Sequence, residues 1–308
     1  MREATGHGPP KLPLMHIVRY RRGQDGTPGV GVRDDGVVRE LPVPSVAALL
    51  RERVADLRAL LGAPGDVVED ARLLAPVDGA TEVWAAGVTY LRSREARMEE
   101  SSEADIYGRV YEAARPELFF KSAAWRVVVD GEPVAIRADS GLDVPEPELA
   151  LVVNRFGEIA GYLVCNDMSS RAIEGENPLY LPQAKVYAGA CALSAGIRPV
   201  WEVNGADLAV AVRVTRDGVA VWSGTTSTAR LKRPFAELVD YLFRADHFPD
   251  GAVLSTGTGL APAMDFTLQP ADVVTIAIDG IGELTNPVVV GKEHFEHQRP
   301  GIEVESRP

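Results

Sequence analysis

The sequence predicts an α+β fold that is mostly β, with a small α+β N-terminal domain ahead of a larger β-rich one. Three observations carry this. From about residue 117 onward, short β-like segments follow one another between Gly, Asp, Asn or Pro, among them "WRVVVDGEPVAIR", "LALVVNRFGEIAGYLVCND" and "LAVAVRVTRDGVAVWSG". Strong helical periodicity is confined to two stretches, 45–62 and 233–245. A turn-rich seam, "APVDGATE" (75–82), separates the first helical stretch from the β-rich remainder and sets the expected domains at 1–78 and 79–308.

Taken in order, the chain opens with "MREATGHGPPKLPL", which has no apolar core of a leader and reads as a frayed tail. "MHIVRY" (15–20) and "GVVREL" (36–41) read as strands around a loop rich in Gly, Asp and Pro. "SVAALLRERVADLRALLG" (45–62) reads as one amphipathic helix. Its stripe is Val46, Leu49, Leu50, Val54, Leu57, Leu60 and Leu61, with Ser45 as N-cap and Gly62 at the end. "EVWAAGVTY" (82–90) is a strand. The stretch 91–113 is charged nearly all round, with its apolar residues mainly in the second half; such a segment suits a lid over a site. Two hairpin turns are explicit, at 154–157 and 216–218. "RPFAELVDYLFRA" (233–245) is a helix with Pro234 placed for its first turn.

An apolar fraction of 46% and a charged fraction of 25% are those of a soluble globular protein. The formal net charge of −12 weighs against non-specific nucleic-acid binding, which needs clustered Lys and Arg. No apolar run reaches the length of a membrane span, and a cytoplasmic protein is the default expectation. The two cysteines, Cys165 and Cys191, match no zinc or redox spacing and read as buried free thiols.

The chemistry concentrates at "PEPELALVV" (145–153). Glu146 and Glu148 are two apart, so on a strand they face the same side. The chain turns at "NRFG" and returns as "EIAGYLVCND", which brings residues 163–167 beside 146–148, give or take two. Asp167 then joins the two glutamates. Three converging carboxylates repel one another unless a cation neutralises them. With no His in the cluster and only oxygen donors expected, the cation is Mg²⁺, or else Mn²⁺ or Ca²⁺, in preference to zinc. Three ligands leave about half an octahedron open to water or a chelating substrate. The bland alternative is two exposed glutamates held apart by Pro145 and Pro147.

From about 80 to 290 the sequence resembles the fumarylacetoacetate hydrolase superfamily. The resemblance rests on an ordered set: "AAGVTY", "PELFFK", the Glu146/Glu148 pair, "GYLVCNDMSSR", "LPQAK", and "STGTG" followed by "DGIGELTNPV". It implies a mixed β-sheet roll, homodimers or dimers of dimers, and Mg²⁺ or Mn²⁺ on Glu146, Glu148 and Asp167. It also implies a 2-oxo acid or β-dicarbonyl substrate. "GVTY", the lid stretch and "IEGENPLYLPQAKVYAGACALS" (173–194) resemble the branch that dehydrates 2-keto-3-deoxy acids of the D-arabinonate type to 2,5-dioxopentanoate. In that branch an active-site glutamate falls on Glu117. Lys185, in "LPQAK", is the candidate for proton transfer, with a pKa expected to fall beside a divalent cation. Thr258 and Gly257 are expected to hold the substrate carboxylate, with Tyr90 also in contact. Lys121 is expected to meet either the substrate or a structural acid. Glu174 and Glu176 are placed either at the pocket or as loop charges, and His294 and His297 as a solvated terminal stretch.

Hydrolases and decarboxylases of the superfamily tend to carry Asn-Tyr, a His three residues later and a Glu three further on, a pair that activates water. Those positions here are Thr89, Ser93 and Ala96. A serine without a partner is no base near neutral pH. The resemblance therefore implies a metal-dependent dehydratase. C–C hydrolysis of an acylpyruvate or β-keto acid decarboxylation is the alternative within enzymes, and a catalytically silent sugar-acid binding module is the alternative outside them. D-Arabinonate and D-xylonate yield the same 2-keto-3-deoxy acid, and the sequence does not separate these from the L-arabinonate derivative.

Overall fold

A computed structural model describes residues 14–23, 26–100 and 104–298. The tail read as frayed lies in 1–13, outside the described residues, apart from its last residue.

The N-terminal elements are β1 (His16–Arg22), β2 (Pro28–Asp34), β3 (Val37–Glu40), α1 (Val46–Leu49), α2 (Val54–Leu61) and β4 (Ala71–Leu74). Next come β5 (Glu82–Gly87), the helices α3 (Leu91–Glu100) and α4 (Ala104–Glu112), β6 (Glu117–Ala123), β7 (Val128–Val129), β8 (Val134–Ile136) and β9 (Asp143–Val144). The central hairpin is β10 (Pro147–Val153) and β11 (Ile159–Asp167), followed by β12 (Ser169–Ser170), α5 (Arg171–Glu176), α6 (Leu181–Lys185), β13 (Cys191–Leu193) and β14 (Gly196–Pro199). The chain ends with β15 (Ala209–Arg216), β16 (Val219–Ser227), α7 (Phe235–Phe243), β17 (Ala252–Ser255), β18 (Val273–Ile278) and β19 (Gly282–Val290).

The larger sheet runs β3-β2-β1-β14-β11-β10-β17-β5-β6, with β4, β7 and β13 attached beside this path. The second runs β16-β15-β18-β19-β8. Both are mixed: β17 with β5 and β19 with β8 are parallel, and the hairpins are antiparallel. The mostly β, mixed-sheet roll is thus the fold observed. Across the expected seam the chain stays in one sheet, since β1 pairs with β14 and β5 with β17.

The two faces of β10 explain its apolar run. Leu149, Leu151 and Val153 pack toward the second sheet with Val210, Val212, Val274 and Ile276. Ala150 and Val152 pack toward α1 and α2 with Val46, Leu49 and Leu57. A strand buried on both sides carries apolar residues throughout.

Two expectations need correction. The stretch 45–62 is two helices, because the chain turns at 50–53. Ser45 Oγ does accept from Ala48 N at 3.0 Å, and Gly62 does end the second helix. The start of α2 is capped from outside the segment, by Glu158 Oε2 accepting from Val54 N at 3.1 Å. The Gly-, Asp- and Pro-rich loop after β1 contains a strand, β2. A Cβ on Gly29 would meet the Tyr20 ring at 2.9 Å and one on Gly31 the Arg39 carbonyl at 2.5 Å. These glycines permit close approach of chains, which strands also need. Among the described residues no helix is long and apolar enough to cross a membrane.

Candidate metal and active site

Strand ends converge on one edge of the larger sheet. The β10–β11 register pairs Glu148 with Cys165 and Pro147 with Asn166, and Asp167 N donates to Glu146 O at 3.0 Å. Glu146, Glu148 and Asp167 therefore meet as the parity of the hairpin requires. All three are buried, and one oxygen from each lies within 4.8 Å of the others. Glu117 opens β6, Lys185 ends α6, and Gly257 and Thr258 follow β17. These seven residues line one cavity with Val88, Phe119 and Leu181. The α3 and α4 helices contribute Ser93, Arg97 and Tyr107, and α5 contributes Glu174. Among the described residues, no histidine lines it.

The protein supplies much of the neutralisation itself. Lys185 Nζ donates to Glu146 Oε2 at 2.7 Å, Asp167 Oδ2 at 3.0 Å and Ser169 Oγ at 2.6 Å. Arg97 Nη2 donates to Glu146 Oε1 at 2.8 Å, and Arg171 Nη2 lies 3.1 Å from the same oxygen. Arg97 also pairs with Glu174. Burial alone would raise the Glu146 carboxyl; Lys185, Arg97 and Arg171 outweigh it and hold the pKa well below the usual range. Glu148 has neutral donors instead, Ser255 Oγ at 2.5 Å and Gly257 N at 2.8 Å, both on Oε2. Burial, with Asp167 and Glu146 beside it, pushes the Glu148 carboxyl well above its ordinary value. Glu148 is thus the carboxylate for which the protein's own side chains supply least compensation. The oxygen donor set, its spacing and this remaining charge fit a hard divalent cation.

Glu117 sits in a slot that Gly87 leaves open. The two residues pair across β5 and β6, and a Cβ on Gly87 would lie 2.1 Å from Glu117 Oε2. Burial, then the charge of Glu174, raises the Glu117 carboxyl toward its neutral form. The next residue, Val88, has φ +52°, a left-handed conformation that β-branched residues rarely adopt and that clusters at functional sites. Thr89 Oγ1 donates to Thr256 O at 2.6 Å, stapling this turn to the segment that carries Gly257.

Lys121, Tyr90 and Lys185 take the following places. Lys121 is fully buried behind the carboxylates, donating to Met168 O at 2.9 Å and Lys185 O at 2.5 Å and pairing with Asp167. Of its two expected partners it meets an acid, Asp167, itself one of the three clustered carboxylates. Tyr90 is buried beside Gly259 and does not line the cavity; burial, with Glu148 nearby, raises its phenol pKa. The lowered pKa expected of Lys185 is that beside a divalent cation, whereas the balance here is that of the protein's own groups. Burial does lower it, but Asp167 and Glu146 outweigh burial and raise it. Thr258 Oγ1 lies 3.1 Å from Leu260 N and 3.2 Å from Leu260 O.

Arg97, Arg171 and Tyr107 had no sequence signal as site residues. Glu174 proves to line the cavity. Ser93 Oγ bonds the Tyr90 backbone, donating to O at 2.7 Å and accepting from N at 3.2 Å; Ala96 is buried and Glu95 is exposed. His294 is exposed on the surface, and Cys165 and Cys191 are buried free thiols.

Comparison with known proteins places this geometry. The chain is 48% identical over 248 residues to a Haloferax volcanii protein named "Probable 2-keto-3-deoxyxylonate dehydratase", covering 79% of this chain and 85% of that one. It is 41% identical over 226 residues to "2-dehydro-3-deoxy-D-arabinonate dehydratase" of Saccharolobus solfataricus, covering 72% and 76%. A solved structure described as 2-keto-3-deoxy-D-arabinonate dehydratase complexed with magnesium and 2,5-dioxopentanoate superposes with a TM-score of 0.77 at 33% identity, covering 92% of this chain and 100% of that one. The profile of the family "Fumarylacetoacetate (FAA) hydrolase C-terminal" matches residues 82–289, more than half of the chain, which therefore belongs to that family.

Proposed function

We propose that the protein is a Mg²⁺-dependent dehydratase that converts a 2-keto-3-deoxy pentonate to 2,5-dioxopentanoate. One observation carries this: Glu117 and Lys185 flank the Glu146, Glu148 and Asp167 cluster in a single cavity, where the lid presents Ser93 and Arg97 and no histidine is found among the described lining residues. The names of the relatives and the ligands of the solved neighbour agree with it.

Glu146, Glu148 and Asp167 hold the ion. Once bound, it supplies Lewis acidity to a 2-oxo acid and acidifies the C–H bonds beside the carbonyl. Lys185 moves the C3 proton. Its protonated form depends on Asp167 and Glu146, so neutralising those carboxylates frees it to act as a base. Glu117, held toward its neutral form, donates a proton to the departing C4 hydroxyl. A proton shift from C5 then yields the terminal aldehyde. Gly257 and Thr258 border the cavity where the substrate carboxylate binds, and the lid excludes water.

We extend the proposal to a homodimer or dimer of dimers in the cytoplasm. The nine-residue edge strand β16, with Val219 and Val221 exposed, offers a pairing edge, and two free thiols suit a reducing compartment. The test of activity is to incubate the purified protein with Mg²⁺ and 2-keto-3-deoxy-D-arabinonate. Formation of 2,5-dioxopentanoate that stops in excess chelator is the expected result; no aldehyde product overturns the proposal.

A further inference from the structure

The lid reaches into the carboxylate cluster through Arg97. Arg97, on α3, is buried, with one guanidinium nitrogen on Glu146 and the other on Glu174 of α5. Both oxygens of Glu146 are engaged: Lys185 takes Oε2, and Arg97 and Arg171 share Oε1. A cation that takes an oxygen of Glu146 therefore meets at least one of these three positive groups. Lys185 is tied down by Asp167 and Ser169 as well, and Arg171 is fixed at the start of α5, whose N-cap is Ser170. Arg97 alone sits on the lid hairpin. The far end of that hairpin is held separately, by Arg233 on Ala113 O and Ala114 O and by Lys232 on Tyr111 O.

We infer that Arg97 makes divalent-ion binding and lid docking antagonistic, and so orders the binding sequence. The ion displaces Arg97 from Glu146 and loosens α3. The carboxylate of an arriving 2-oxo acid gives the guanidinium a new acceptor and draws the lid back. The ion then precedes the substrate, and closure waits for both. Arg97 is a positioning residue here, acting through the lid and Glu146. The inference rests on the metal assignment above, and its tests use no turnover, so a failed dehydratase assay leaves it separately decidable.

The experiment is a calorimetric Mg²⁺ titration of the wild type, Arg97→Gln and Arg97→Lys, with hydrogen exchange read over α3. Removing a positive charge within a few ångströms of a divalent ion should tighten Mg²⁺ binding by Arg97→Gln by at least about tenfold. Arg97→Lys, which keeps the charge, should stay within about threefold of the wild type. In the wild type, Mg²⁺ alone should speed exchange in α3, and Mg²⁺ with pyruvate should slow it again. Equal or weaker Mg²⁺ binding by Arg97→Gln overturns the inference, as does α3 protection that rises with Mg²⁺ alone or that pyruvate fails to restore. If Arg97→Gln does not fold, the wild-type exchange result decides.

Discussion

Replacing Gly87 with alanine should disable proton transfer while leaving the fold intact. Gly87 lies on β5 opposite Glu117, and its backbone needs no left-handed conformation. The new Cβ would stand 2.1 Å from Glu117 Oε2 and 2.6 Å from Cδ, about 0.9 Å inside the 3.0 Å that real Cβ contacts respect. Those atoms are the far end of a flexible side chain, so they can move. An off-rotamer χ angle costs on the order of 0.5–1.5 kcal/mol, which bounds the loss of stability. The carboxyl group must shift by about the overlap. Displacing a reacting group by about 1 Å costs roughly 10²-fold, and loss of a general acid costs about 10²–10⁴-fold. We expect kcat to fall by about 10²-fold or more, with the melting temperature nearly unchanged and Mg²⁺ affinity retained. Steady-state kinetics, differential scanning fluorimetry and calorimetry read the three quantities. A folded Gly87→Ala enzyme within about threefold of wild-type kcat would refute the assignment of Glu117 and its slot.

Three further outcomes follow from the same geometry. Glu148→Gln keeps an acceptor for Ser255 and Gly257 but removes the least compensated negative charge; it should stay folded, lose turnover by more than about 10³-fold and lose the Mg²⁺-induced stabilisation, which in the wild type should reach about 2.7 kcal/mol at 100 times Kd. Arg233→Ala uncaps the carbonyls of Ala113 and Ala114 and should speed hydrogen exchange in α4 by roughly 10-fold, with unchanged exchange there counting against the anchor. Burial lowers the pKa of His16, whose Nε2 lies 2.6 Å from Ile281 O, so the unfolded chain binds more protons near its ordinary value of about 6.5. The stability this gives is present above that pH and is lost as pH falls through the window below it; denaturant melts at pH 7.5 and 5.5 should show a smaller acid loss in His16→Gln.

The carboxylate cluster was legible because two local rules suffice for it. Strand parity puts Glu146 and Glu148 on one face, and the hairpin at 154–157 returns Asp167 to the same end. The counter-ions were not legible. Arg97 and Arg171 come from helices that tertiary packing alone brings to Glu146, and a buried arginine has no periodic signature apart from that packing. This also changes the physics first inferred: the cluster is mostly neutralised by the protein, and Glu148 carries the demand for a metal. The break in the 45–62 helix was hidden for a similar reason. Arg155 N donates to Leu50 O, at the C-cap of α1, and Glu158 caps Val54 N, so a hairpin about 100 residues away ends one helix and starts the other. β2 was masked by Gly29 and Gly31, which signal turns locally but here allow Tyr20 and Arg39 to pack close. The raised Lys185 pKa follows from the charges of Asp167, Glu146 and Glu174 around one buried ammonium, which only the folded geometry reveals.

The central claim is that this site eliminates water instead of adding it. It is tested most directly by measuring kcat/KM on 2-keto-3-deoxy-D-arabinonate and on an acylpyruvate in parallel, in the same Mg²⁺ buffer. Ser93, bonded to the Tyr90 backbone, and the buried Ala96 stand at the positions where hydrolases of the superfamily tend to carry a water-activating His–Glu pair. We predict acylpyruvate cleavage slower by at least about 10²-fold, the usual scale of a missing acid–base contribution, alongside stoichiometric 2,5-dioxopentanoate from the sugar acid. Comparable kcat/KM on the two substrates would contradict the account.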